Sequence, residues 1–179
     1  MNHADHVALI RDGVRDAPTG RWLELGAGEG AFTLALADVL GPDGSILALD
    51  RDPQSLARLR ERTAERFPAT DLETVVADFT SGLPGGPFAG VLAANSLHYV
   101  ADLGPVLATI RSRLASDGRL VVVEYDSDRG NPWVPHPFSF DRWVVTASAA
   151  GFAPPILLHR VPSRFLEGIY GAVARPVAR

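Results

Sequence analysis

Between residues 21 and 32 the chain reads RWLELGAGEGAF: a short apolar run, glycines at 26, 28 and 30, then the first residues of a helical pattern. Trp22, Leu23 and Leu25 suit a buried strand, and Phe32, Thr33, Leu34, Ala35 and Leu36 begin a helix. Glycine between the two lets the backbone take positive φ and lets a ligand lie against it with no Cβ in the way. Free N–H groups at the helix start favour a negatively charged ligand group. Strand, glycine turn and helix in that order form a nucleotide-type binding loop.

The flanking segments fit around it. Residues 45–49, SILAL, read as a second strand that ends on Asp50, 24 positions after Gly26. A carboxylate about 20 residues beyond such a loop, at the neighbouring strand tip, accepts ribose hydroxyls; otherwise Asp50 merely opens a turn. Asp52 is a good N-cap and Pro53 suits the first helical position, so a helix is predicted up to Phe67, where Pro68 ends it. Its Arg58, Arg60, Arg62 and Arg66 alternate with Glu61 and Glu65 and read as a solvated face. Residues 72–77 read as a third strand ending on Asp78, a carboxylate that can accept from an adenine amine. Residues 90–94 read as a fourth strand, followed by Asn95-Ser96-Leu97-His98-Tyr99. A helix over 102–114 is stopped by Ser116-Asp117-Gly118, and 119–124, RLVVVE, is a fifth strand. Its consecutive apolar positions suit a strand buried on both faces. Ahead of everything, residues 2–14 read as an amphipathic helix on Val7, Leu9, Ile10 and Val14, broken by Pro18-Thr19-Gly20. Its His3 and His6 are either solvated or, if the segment folds over a cofactor, bring His6 near a reacting centre.

Strands alternating with helices five times predict a parallel sheet with helices on both sides. Ligands on such sheets bind outside the carboxyl ends of the strands, where the strand order reverses. Gly26, Gly28, Gly30, Asp50, Asp78, Asn95 and Glu124 all fall at expected strand ends and should line one crevice. The proline-rich stretch 125–137 is a loop on the same edge, in which Tyr125, Trp133 and His136 either anchor the loop or line a substrate pocket. Ser139-Phe140-Asp141 opens a helix that Gly151 ends. Two further strands, 156–161 and 165–174, are separated by Pro162-Ser163, too short a link for a parallel crossover, so they form an antiparallel hairpin at one edge.

At 179 residues the chain is expected to be one domain, with residues 1–16 as a helix beside the cofactor. A net charge of −4 gives no basic footprint for nucleic acid. No apolar run reaches the ~18 residues of a membrane span, and the N-terminus lacks a signal-peptide pattern, so a cytoplasmic location is expected. There is no cysteine, hence no thiol nucleophile and no cysteine metal site, and no metal is expected. All 17 basic residues are arginines, which removes a phosphate-binding or Schiff-base lysine.

Together these motifs make the chain resemble the class I S-adenosylmethionine-dependent methyltransferases over nearly its whole length. Glu24-Leu25-Gly26-Ala27-Gly28-Glu29-Gly30 is similar to that family's first motif, an acid followed by G-x-G-x-G. Asp50, Asp78 and Asn95-Ser96-Leu97-His98 resemble its second, third and fourth. Residues 139–152 and the terminal hairpin are similar to its closing segment, and the small-molecule group related to quinone-ring methyltransferases looks nearest. The resemblance implies a three-layer, Rossmann-like α/β fold, a seven-stranded, mostly parallel sheet with an antiparallel C-terminal hairpin. It implies S-adenosyl-L-methionine as cofactor, S-adenosyl-L-homocysteine as product, and a cofactor site of Glu24, Gly26, Ala27, Gly28, Gly30, Asp50, Arg51, Asp78, Phe79, Asn95 and Ser96. Tyr99, Tyr125, Trp133 and His136 are the expected contacts to a small-molecule acceptor; a homo-oligomer is compatible with the sequence.

The loop also satisfies the dinucleotide pattern G-x-G-x-x-G/A. Glu24, two residues before the first glycine, suits an amino acid group better than a pyrophosphate, and the terminal hairpin is foreign to a nicotinamide domain. The fourth motif reads NSLH, without the prolines of amino-directed DNA methyltransferases, and cytosine C5 chemistry lacks its cysteine. The implied reaction is direct in-line methyl transfer, in which orientation supplies on the order of 7–11 kcal/mol at best. His98 is the first candidate base, with His6 and His136 as alternatives; a structural hydrogen bond beside Tyr99 is the other role open to His98. An S-adenosylmethionine-binding regulatory or inactive partner subunit and an NAD(P)-dependent oxidoreductase are the competing readings.

Overall fold

A computed structural model describes residues 1–17, 19–163 and 166–177. The chain opens with α1 (His3–Arg15), whose start is set by a capping box: Asn2 Oδ1 accepts from Asp5 N at 3.0 Å and Asp5 Oδ2 from Asn2 N at 2.9 Å. Then follow β1 (Trp22–Leu25), α2 (Ala31–Leu40), β2 (Ser45–Asp50), α3 (Pro53–Arg66) and β3 (Asp71–Val76). The second half contains β4 (Phe88–Ala94), one 3-10 turn (Leu97–Tyr99), α4 (Leu103–Arg113), β5 (Leu114–Tyr125), α5 (Phe140–Ala149), β6 (Ile156–Pro162) and β7 (Gly168–Ala174). Asp52, Asp102 and Ser139 cap α3, α4 and α5 with their side chains, each satisfying N–H groups that have no partner inside the helix.

All seven strands form one sheet in the order β3-β2-β1-β4-β5-β7-β6. The first five are mutually parallel, and β7 runs antiparallel to both β5 and β6. The expected hairpin is there, but its second strand is not at the edge: β7 inserts between β5 and β6. The chain works outward from β1 to β3 and then crosses back to β4. The order therefore reverses between β1 and β4, where a ligand crevice is expected.

Apolar cores form on both faces of the sheet. On one, Phe32, Leu36, Leu9 and Ile10 pack over Trp22 and Val121; on the other, Leu107, Ile110, Trp143 and Phe152 pack over Leu23 and Val122. This burial explains the unbroken apolar runs of β1, β4 and β5. Helix α1 lies flat on the β5–β7–β6 part of the sheet. There Gly171 lets it approach so closely that a Cβ on that residue would stand 1.9 Å from Leu9 O.

Two expectations change. The fifth strand begins at Leu114, not 119, because Leu114 pairs with Phe88 before the register shifts to Gly90 and Arg119. Ser116-Asp117-Gly118 is thus a bulge within the strand. Arg58, Arg60, Arg62 and Arg66 of α3 are exposed, as expected of a solvated face, and from it Arg58 and Arg62 both reach Glu29. The expected start of the last strand at Phe165, and the break at Pro18, lie outside the described residues.

Candidate active site

The glycine loop leaves β1 through three left-handed residues, Gly26 (φ 71°), Gly28 (φ 53°) and Gly30 (φ 87°). Two of these are also sterically required. A Cβ on Gly26 would meet Ser96 Cβ at 2.7 Å, and one on Gly30 would meet the Leu59 side chain at 2.3 Å. Beside Gly28 there is open space. Asp50, at the tip of β2, ties itself to this loop: Oδ2 accepts from Gly28 N at 2.8 Å and Oδ1 from Asp52 N at 2.9 Å. Each oxygen keeps acceptor capacity for a ligand hydroxyl. Asp78, beyond β3, accepts from Thr80 N (2.8 Å) and Thr80 Oγ1 (2.6 Å), and these bonds hold its carboxyl below the usual range. Gly26, Asp50, Arg51, Asp78, Phe79, Asn95, Ser96 and Tyr99 line one cavity of about 370 Å³.

A second cavity of about 380 Å³ opens on the other side of Gly26 and Asn95, lined also by Glu24, Ala27, Gly28, His6 and Arg62. Glu24 is buried and accepts from Thr33 Oγ1 at 2.5 Å. Burial pushes its carboxyl up to about 8, against the Thr33 bond, which pulls the other way. His6 packs against Phe32 with the rings tilted by 45° and centroids 4.6 Å apart, and burial lowers its pKa. It faces this cavity and not the one that holds His98. His3 bonds Asp38 at 2.8 Å on the surface. Arg62, whose Nη1 donates to Glu29 O at 2.7 Å, reads in the sequence only as part of the solvated face, because nothing local distinguishes it from its arginine neighbours.

The third cavity, again about 380 Å³, is lined by Asn95, His98, Tyr99, Tyr125, Trp133 and Val134. His98 is buried in the 3-10 turn, with Nδ1 2.8 Å from Glu124 Oε2. Glu124 Oε1 also accepts from Leu97 N (3.1 Å) and His98 N (3.2 Å). Glu124 therefore does not line the crevice as expected; it lies fully buried beneath the turn. Its backbone bonds and its ring bond fix His98, leaving Nε2 as the nitrogen that can meet a ligand. His136 also departs from expectation. Its backbone N donates to His98 O at 2.9 Å, while the residue lines a separate cavity between α4 and α5.

Asn95 belongs to all three cavities. Its backbone is left-handed (φ 51°), uncommon for a residue other than glycine and concentrated at functional sites. Asn95 Oδ1 and Ser96 Oγ are buried with no partner among the described residues. Both residues line the cavity with Asp50 and Asp78, where a ligand can satisfy these atoms. Two carboxylates for hydroxyl and amine groups, an open glycine backbone and these unmatched atoms together fit an adenosine bearing an amino acid tail.

The family described as "Methyltransferase domain" matches residues 23–120. The ubiquinone/menaquinone biosynthesis C-methyltransferase UbiE of Ectopseudomonas mendocina is 31% identical over 121 residues, 67% of this chain and 46% of that protein. Among solved structures, the N-terminal domain of EvdMO1 with SAH bound superposes with a TM-score of 0.72 at 25% identity, covering 99% of this chain and 82% of that one. The DhpI–SAH complex gives 0.74 at 22% identity, covering 98% and 85%. The chain spans about half the length of curated relatives such as UbiE. No helix among the described residues is long and apolar enough to cross a membrane.

Proposed function

This chain belongs to the methyltransferase-domain family, the class I S-adenosylmethionine-dependent enzymes, and on that premise we propose that it transfers a methyl group from S-adenosylmethionine to a small molecule. One observation carries the reading: the cavity holding Asp50 and Asp78 adjoins the cavity holding His98, and they share Asn95 and Tyr99. A ligand in the first can therefore meet a ligand in the second. In this reading Asp50 takes the ribose hydroxyls, Asp78 and Phe79 the adenine, and the open backbone at Gly28 the methionine part. Glu24 faces the amino end, while Arg51, Gly26, Ala27, Gly30, Asn95 and Ser96 complete the walls. When bound, S-adenosylmethionine supplies an activated methyl whose carbon–sulfur bond breaks with the electron pair left on sulfur.

The chain's own work is alignment and proton handling. His98 Nε2 takes a proton from the acceptor, while Glu124 on Nδ1 holds the tautomer and steadies the charge that forms. The His98–Glu124 pair beside a second cavity supports the enzyme over a regulatory subunit. Calorimetric titration with S-adenosylmethionine, S-adenosylhomocysteine and NAD tests the assignment. Both methionine ligands bind and NAD does not. Asp50→Ala weakens S-adenosylhomocysteine by about tenfold to over a hundredfold, from about 1.5–3 kcal/mol of charged hydrogen bonding. Binding of NAD alone overturns the reading.

A further inference from the structure

We propose that the acceptor is an uncharged aromatic ring bearing a hydroxyl, held among the rings that line the His98 cavity; this rests on the methyl-transfer reading above. Of the six lining residues, His98, Tyr99, Tyr125 and Trp133 present rings, and Asn95 and Val134 complete the wall. None is an arginine, an aspartate or a glutamate. The tyrosine phenols are uncharged near neutral pH. A carboxylated or phosphorylated acceptor would find no arginine among these six residues to pair with.

Exposure singles out the same place. Trp133 and Tyr99 are 70% and 60% exposed, and they lie on two separate segments, the loop after β5 and the turn after β4. The other two tryptophans, Trp22 and Trp143, are fully buried in the core. Large rings gathered from separate segments around one cavity are a recognition surface for a flat apolar face. The loop that carries Trp133 is held by its own bonds: Asn131 Oδ1 accepts from Trp133 N (2.9 Å) and Val134 N (3.0 Å), and His136 N reaches His98 O. The ring wall is thus anchored to the turn that carries His98.

The hydroxyl follows from the base. A general base takes a proton from a phenol, whose ordinary pKa is about 10, far more readily than from an aliphatic alcohol. Aromatic walls also attract organic cations, so a cationic ligand is the rival occupant.

Four probes separate the cases: 4-phenylphenol, its 4'-carboxylate, 4-cyclohexylcyclohexanol and tetramethylammonium, each titrated calorimetrically with S-adenosylhomocysteine present. Iodide quenching of tryptophan emission is the second readout, because only Trp133 is open to solvent. The phenol binds at least tenfold more tightly than the other three and shields Trp133 from iodide. Trp133→Ala weakens it at least fivefold and leaves S-adenosylhomocysteine within twofold. Equal or tighter binding of the carboxylate, the saturated alcohol or the cation overturns the proposal, as does an unchanged phenol affinity in Trp133→Ala. If S-adenosylhomocysteine binds and the phenol does not, the proposal falls and the cofactor assignment stands. If S-adenosylhomocysteine does not bind, both fall.

Discussion

Replacing Glu24 by glutamine isolates the effect of a buried ionisable group on this fold. The carboxyl lies at the end of β1 with 2% of its surface exposed, so no solvent screens it. Its ordinary pKa of 4.5 rises to about 8, chiefly through desolvation. Between these values the folded chain keeps a proton that the unfolded chain has lost. Native binding of the extra proton means that stability falls as pH rises, by up to about 1.4 kcal/mol per pH unit. The stabilisation is complete below pH 4.5 and gone above about 8. Integrated over the window, the loss is about 4–5 kcal/mol at most, a large share of a typical domain's 5–15 kcal/mol. Glutamine keeps an oxygen for the Thr33 hydroxyl but has nothing to ionise. Urea unfolding of the ligand-free protein at a series of pH values from 5 to 9 reads the difference. Glu24→Gln matches the wild type near pH 5 and exceeds it by several kcal/mol near pH 8.5. Saturating S-adenosylhomocysteine, whose ammonium offers the ionised carboxylate a partner, removes most of that gap. Parallel curves for the two proteins would refute the reasoning, because they would mean that Glu24 titrates alike in both states.

Glu124→Gln keeps the two backbone bonds but puts an amide beside His98 Nδ1, favouring the tautomer that presents N–H to the cavity. We expect kcat to fall by about 10²–10⁴ with S-adenosylhomocysteine affinity unchanged; an unaltered kcat would remove His98 from the chemistry. Gly171→Ala forces α1 away from β7, since its Cβ would sit 1.9 Å from Leu9 O. The expected loss is about 1–3 kcal/mol or more by urea unfolding, and a neutral effect would mean that α1 is not seated as described.

The strand–glycine–helix unit, the order of elements and the Asp50 and Asp78 tips were legible because each rests on local chemistry. Caps at Asn2, Asp52 and Ser139 and stops at Gly41 and Pro68 act within a few residues. The bulge in β5 was not legible, because Phe88 and Leu114 meet only when two distant strands align. Nor was the burial of Glu124: a strand-end acid reads the same whether it faces the crevice or the underside of a turn. His136 and Trp133 sit three residues apart on one loop, yet they line different cavities. Sequence alone determined where the chain turns through left-handed glycines and which carboxylates stand at the strand ends, through glycine conformation, capping and local turn chemistry. Only the tertiary structure decided that His98 is held by Glu124 against a ring-lined cavity, that Arg62 reaches Glu29, and that β7 inserts inside the sheet. Each of those depends on which distant segments share a face, and a packed core settles that through volume and burial summed over the whole chain.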